Sequence, residues 1–272
     1  MNAYIFDVDG VIVDPQLHII SKPELVSQII KILQKGDVIA FISGASVNRL
    51  NNKVIHVLDD YIKNNSFNYN LLDNVFISGE FGDVTITFSN GIKKEDVVLD
   101  KSFNEKVKKE LIDISLRFSD VVTIDEYKQT QFTVVTRPDV PLEKFIEQER
   151  NIASLYRKAV KNLGFEEILE VHEDRIAINV KYKTSNKSRA TNEFLKWLTY
   201  KSLKPDKFKA FGDAVSDLEI GHELWKNNLN FDFIYVGNPS DIKHNINFPI
   251  ISTLQKFGKE TDEGTLEYLK QE

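Results

Sequence analysis

Residues 4–14 read YIFDVDGVIVD, an apolar run that ends on two acids flanking a valine and then on a glycine. A run this short, rich in aromatic and β-branched residues, predicts a strand covered on both faces, as strands of a parallel sheet are. Asp7 and Asp9 are two residues apart, so an extended chain puts both carboxylates on one face. Gly10 then permits a sharp turn or a close backbone approach to a ligand. Either the acids only end the strand, or acids and glycine together form a reaction centre. A calcium loop is excluded, because Val11 and Val13 sit where oxygen ligands belong and His18 replaces the closing glutamate.

Outward from this stretch, SKPELVSQIIKILQKG (21–36) predicts a helix. Ser21 and Glu24 have capping-box spacing, Pro23 suits a first turn, and Gly36 suits a C-terminal stop. Leu25, Ile29, Ile32 and Leu33 form an apolar stripe at helical spacing. VIAFIS (38–43) is a second buried strand, so the first forty or so residues spell a βαβ unit and therefore a parallel sheet. SVNRLNNKVIHVLDDYIKN (46–64) is helical and NVFISG (74–79) is another buried strand. The character then changes. DVTITFSNGI (83–92) alternates and carries the hairpin signal Asn90-Gly91, and QTQFTVVTRP (129–138) and RIAINVKY (175–182) are strands of the same kind. Charged helical stretches at about 103–118 and 142–163 separate them. The α/β pattern resumes with helices at 188–203 and 216–227, strands at 208–214, 231–238 and 248–253, and a last helix near 262–271. The expected fold is α/β, a Rossmann-like doubly wound parallel sheet built from residues 1–82 and 186–272, with an inserted α+β domain at 83–185.

Composition narrows the function classes. The 272 residues are 42% hydrophobic and 28% charged, ordinary for a soluble globular chain with ample core. A net charge of −6 argues against a general nucleic-acid or anionic-membrane binder. Without cysteine there is no disulfide, thiolate metal site or cysteine nucleophile. No apolar run approaches the roughly 20 residues of a membrane helix, and no leader-like segment opens the chain, so a cytoplasmic protein is expected. The five histidines, His18, His56, His172, His222 and His244, show no metal-ligand spacing.

Three further stretches carry chemistry. In FISGAS (41–46), Ser43 and Gly44 follow a buried strand; a hydroxyl and free N–H groups at such a tip cradle an anion, although Ser-Gly is also common turn chemistry. Lys187 opens a helix, where the dipole mildly disfavours a cation unless it faces an anion. In KAFGDAVSDLEI (209–220), another buried strand ends on Gly212-Asp213, and Asp217 follows one helical turn later. Carboxylates from two strand tips make a hard-cation site suited to Mg²⁺, with Ser43 and Lys187 placed to bind a phosphate that the metal also contacts. In parallel α/β sheets ligands bind beyond the C-terminal strand ends, where these acids lie.

The four stretches in this order resemble the four motifs of the haloacid dehalogenase superfamily of phosphohydrolases. The insert, between the second and third motifs, resembles that of the C2-capped branch, which includes sugar phosphatases and the sucrose- and trehalose-phosphate phosphatases. VGNPSDIK (236–243) and TDEGTLEYL (261–269) are similar to segments of that branch. The resemblance implies that Asp7 is the nucleophile and that Asp9 protonates the leaving alcohol and later deprotonates water. It implies Mg²⁺ held by Asp7, the Asp9 carbonyl and Asp213, with Asp217 acting directly or through water, and phosphate contacts from Gly10, Ser43, Gly44, Lys187 and Ser216. The expected partner is a small phosphate ester, foremost a sugar phosphate, with no nucleic acid and no membrane; a phosphomutase or a non-catalytic phospho-ligand sensor would share the core. Ser216 replaces an asparagine and Ala45 an arginine of many relatives, with Arg49 one turn further on. Arg137, Glu173, Arg175 and Lys181 of the insert are candidate readers of the leaving group or parts of a solvated sheet face, and Lys183 lies close to the hinge.

Overall fold

The structure, a computed structural model, describes residues 1–98, 103–174, 176–243 and 246–272. It divides into two compact units, Met1–Val98 with Asn186–Glu272, and Leu99–Ser185.

The first unit is built on the opening stretch. Strand β1 (Asn2–Asp7) alternates between two apolar layers, with Ala3 and Ile5 packed on one side and Tyr4 and Phe6 on the other. Phe6 stacks on Phe211 with ring centroids 4.6 Å apart, a contact across neighbouring strands that adds about 1 kcal/mol to the burial itself. Helix α1 (Pro23–Gln34) buries the expected stripe, Leu25, Ile29, Ile32 and Leu33, and ends before Gly36 at φ +80°. The expected Ser21 cap does not form. Lys22 occupies the cap position without a side-chain bond, and the Ser21 hydroxyl donates to Asp14 at 3.4 Å, because Asp14 organises the preceding loop by accepting from the N–H groups of Gln16 and Leu17.

After α1 come β2 (Val38–Ile42), α2 (Val47–Leu50), a π-helical turn (Asn51–Ile55), α3 (His56–Asn64), β3 (Val75–Gly79), β4 (Val84–Ser89) and β5 (Ile92–Val97). The second unit follows as α4 (Glu105–Leu116), β6 (Val122–Ile124), β7 (Phe132–Thr136), α5 (Leu142–Asn162), β8 (Leu169–Asp174) and β9 (Ala177–Tyr182). The chain then returns to the first unit with α6 (Lys187–Tyr200), β10 (Lys207–Gly212), α7 (Leu218–Lys226), β11 (Phe231–Tyr235), β12 (Ile250–Ser252), α8 (Thr253–Phe257) and α9 (Thr261–Leu269).

The first unit holds an eight-stranded sheet in the order β12-β11-β10-β1-β2-β3-β4-β5. Pairing is parallel from β12 to β3. Residues of α1, α3 and α9 pack on one face and those of α6 and α7 on the other, the doubly wound arrangement the sequence predicts. One boundary differs. The hairpin β4–β5, expected to open the insert, pairs antiparallel onto β3 and extends the core sheet. Val84, Ile86 and Phe88 join the same apolar cluster as Phe6, so the alternation in DVTITFSNGI correctly marks an antiparallel strand but not the sheet it belongs to.

The second unit is an antiparallel sheet, β6-β7-β9-β8, with its own core. Phe132, Val134, Ile178 and Val180 pack with Leu111, Phe145 and Tyr156 of α4 and α5, and the Tyr156 hydroxyl pairs with Ser115 at 2.6 Å. The sequence reading identified β7 and β9 but not the short β6 or β8, which lack a turn signal of their own.

Candidate active site at the tips of β1 and β10

From β1 the chain runs to β2 and β3 on one side, and later to β10 and β11 on the other, so the order reverses between β1 and β10. A crevice opens at such a reversal beyond the carboxyl ends of the strands. Asp7 ends β1 in register with Ile42 at the end of β2, and β10 ends on Gly212, next to Asp213.

Two glycines let these tips converge. Gly10 has φ +84°, and a Cβ there would run into the Asp213 carboxylate. A Cβ on Gly212 would overlap Asp217. Asp217 is fully buried, and its Oδ2 accepts the N–H groups of Asp213 and Ala214, each at 2.9 Å, which fixes the turn after β10. Asp7, Asp213 and Asp217 can each present a carboxylate oxygen within 4.8 Å of the others.

Lys187 meets this cluster from the first residue of α6. Its Nζ donates to Asp7 Oδ1 at 2.5 Å and also to Asp217 Oδ1, and all three side chains are buried. Asn186 caps the helix by accepting the Arg189 N–H at 2.8 Å, and Glu219 accepts the Lys187 N–H at 3.0 Å. The lysine at this helix start therefore faces anions rather than solvent. Burial pulls the Lys187 pKa down, but Asp217 and Asp7 outweigh it and the net shift is upward. Burial pushes Asp7 well up against the opposing pull of Lys187, and Asp213 is raised to about 7 by burial and by the Asp217 charge.

For the two acids, the local charge count adds to the effect of burial. Three carboxylates face one ammonium, so two negative charges lack compensation when all are ionised. Uncompensated buried charge is costly, and a hard divalent cation bound by carboxylate oxygens removes the deficit. The donor set therefore fits Mg²⁺. Asp7 and Asp213 could serve as its ligands; both oxygens of Asp217 are already engaged, so Asp217 shapes the site more than it offers a free donor.

Ser43 and Gly44 follow β2 beside Asp7. The buried Ser43 hydroxyl oxygen accepts the Ala45 N–H at 3.0 Å, which leaves its proton for an acceptor. The turn is anchored from the end of β3, where Glu80 donates its N–H to Ala45 and Phe81 to Ser43, at 3.0 and 3.1 Å. Both anchoring residues have left-handed backbones, φ +50° and +57°, at an order-of-magnitude cost of about 1–3 kcal/mol each. A Cβ on Gly44 would strike the Phe81 ring, so this glycine is required sterically. Neither Glu80 nor Phe81 carried a sequence signal, because ordinary residues there give no hint of positive φ.

The remaining expected residues are more scattered. Asp9 is 48% exposed in its side chain and pairs with Lys53, a residue the sequence reading passed over. Ser216 is exposed in the short 3₁₀ turn Val215–Asp217. In the second unit, Arg137 pairs with Asp139 at 2.9 Å, Glu173 with Arg157 at 2.6 Å, and Lys181 with Glu170 at 2.6 Å. Arg175 and His244 lie outside the described residues.

No family model matches the sequence, and no curated protein matches it. Solved structures do. The C-terminal domain of a C. albicans trehalose-6-phosphate phosphatase aligns with 99% of this chain and 91% of its own at 17% identity, TM-score 0.67. A Thermoplasma acidophilum protein designated 0175 aligns over 100% and 97% at 15% identity, TM-score 0.61. The Plasmodium falciparum IMP-nucleotidase aligns over 88% of this chain and 60% of its own at 16% identity, TM-score 0.57. At these identities the likeness establishes the fold alone.

Proposed function

We propose that this chain is a Mg²⁺-dependent phosphomonoesterase of the haloacid dehalogenase type, acting on a small phosphorylated metabolite and foremost on a sugar phosphate. The observation that carries this is the buried Asp7–Lys187 pair, 2.5 Å apart, with Asp213 and Asp217 drawn to the same point at the switch of strand order. A buried nucleophile, a fixed cation and a hard-cation donor set are what phosphoryl transfer requires, since catalysis there is mostly positioning and charge stabilisation. Phosphatases among the structural neighbours support the reading.

In this mechanism Lys187 holds Asp7 Oδ1, which leaves Oδ2 to attack phosphorus. The Asp7–phosphorus bond forms as the ester P–O bond breaks, and Asp9 gives its proton to the departing alcohol. Ser43 donates its hydroxyl proton to a phosphoryl oxygen, and the Lys187 charge offsets repulsion between carboxylate and phosphate. Asp9 then takes a proton from water, which attacks phosphorus, frees phosphate and restores Asp7. Mg²⁺ bound by Asp7 and Asp213, with the Asp9 carbonyl and the Asp217 region completing its surroundings, would supply further neutralisation of the transferring group. The second unit is assigned the role of a cap that excludes water and reads the leaving group.

The test is a panel of phosphate monoesters assayed with and without Mg²⁺, beside Asp7→Asn. Release of inorganic phosphate that needs both Mg²⁺ and Asp7 is the expected outcome. Isomerised sugar phosphate instead of free phosphate would make the protein a mutase, and hydrolysis that survives in Asp7→Asn would refute the assignment.

A further inference from the structure

Lys53 is the one cation that reaches Asp9 among the described residues, and it comes from 44 positions away. It sits in the π-helical turn between α2 and α3, and such turns recur at functional sites because one extra residue rotates every following side chain by about 100°. The turn is tied down on its other side by Lys93, whose Nζ donates to Asn51 at 3.2 Å. The Lys53 side chain is 15% exposed, and among the described residues Asp9 is its single hydrogen-bonding partner. An ammonium carries three donors. Two remain for a ligand.

What those donors meet follows from the work of Asp9, which must lie against the oxygen of the leaving alcohol. A cation in contact with Asp9 is therefore about two hydrogen-bond lengths from that oxygen, over the atoms next to it. Once Asp9 has given its proton to the leaving group, Lys53 and Asp9 together are electrically neutral, so an uncharged acceptor suffices for the two remaining donors. We propose that Lys53 is a specificity-determining residue that hydrogen-bonds a hydroxyl on the leaving group close to the ester oxygen, making polyol phosphates, sugars or sugar alcohols, the substrate class. A site built to hydrogen-bond a substrate hydroxyl discriminates strongly against an analogue that lacks it, because its donor is then left unpaired. This inference rests on the phosphatase reading and adds the group that selects among esters.

The test compares kcat/KM for sorbitol 6-phosphate and hexyl phosphate, which share a chain length and differ in hydroxyls, in the intact protein, Lys53→Met and Lys53→Arg. Melting curves establish that each variant is folded. The intact protein is expected to prefer the polyol ester at least tenfold. Lys53→Met is expected to lower that ratio about tenfold, mainly through KM for the polyol ester, and Lys53→Arg to keep part of it. An equal loss on both esters would make Lys53 a mere support for Asp9, and an unchanged ratio would give it no role; either outcome overturns the inference. Asp7-dependent hydrolysis without polyol preference defeats this inference alone, whereas no hydrolysis of any ester by the intact protein defeats the phosphatase reading and this inference with it.

Discussion

Asp213 titrates near 7 because it is buried beside Asp217, and Asp7 is shifted the same way by burial. Both carboxyls hold their protons more tightly folded than unfolded, where an aspartate titrates near about 3.9. Their contribution to stability is therefore present in full below about pH 4, and that of Asp213 is lost as pH rises through about 7. A divalent cation competes with those protons and removes the deficit. Added Mg²⁺ should accordingly raise the melting temperature more at pH 8 than at pH 5.5, read by scanning calorimetry; equal shifts at both values would contradict this origin. Much of this site was legible, since Asp7, Lys187 and Asp213 each stand at the end of a buried strand or the start of a helix. Lys53 was not, because nothing in NNKVI announces a π turn, and the sequence leaves open whether Asp217 acts directly or through water, whereas in the structure its two oxygens are committed to Lys187 and to the turn after β10.

The loops at the strand tips depend on glycines whose roles differ. Gly10 combines φ +84° with contact against Asp213, so a methyl group there meets both backbone strain and a carboxylate it must displace. Strain alone is about 1–2 kcal/mol. Gly10→Ala should reduce kcat at least tenfold by shifting Asp213 while the fold is retained, checked by phosphate release and circular dichroism. Full activity would show that the β1 and β10 tips need not touch. At this scale the buried strands and the main helices were readable from short β-branched runs and helical stripes. The start of α1 was not, because Asp14 competes with the helix for the Ser21 hydroxyl, a contact that depends on how the loop folds back.

Among the described residues the apolar side chains form three clusters, one on each face of the eight-stranded sheet and one within the unit formed by Leu99–Ser185. Ile178 is fully buried in the latter, and cutting it to alanine costs about 2–5 kcal/mol. Ile178→Ala should speed amide exchange in β7, β8 and β9 and leave β1 and β10 protected; uniform acceleration would mean that the two units unfold as one. The insertion was visible as a change from continuous apolar runs to alternation near residue 83. Its true border falls after β5, because a hairpin that alternates can join either sheet and only tertiary pairing with β3 decides.

Whether Asp7 becomes covalently phosphorylated is the question on which the functional account turns. Reacting the protein with an intact phosphate ester that it turns over and quenching with borohydride would convert an aspartyl-phosphate into homoserine, whose position sequencing by mass spectrometry locates. The account predicts homoserine at position 7, dependent on substrate and absent from Asp7→Asn. Turnover with an unmodified Asp7, or with the label on another residue, would contradict it.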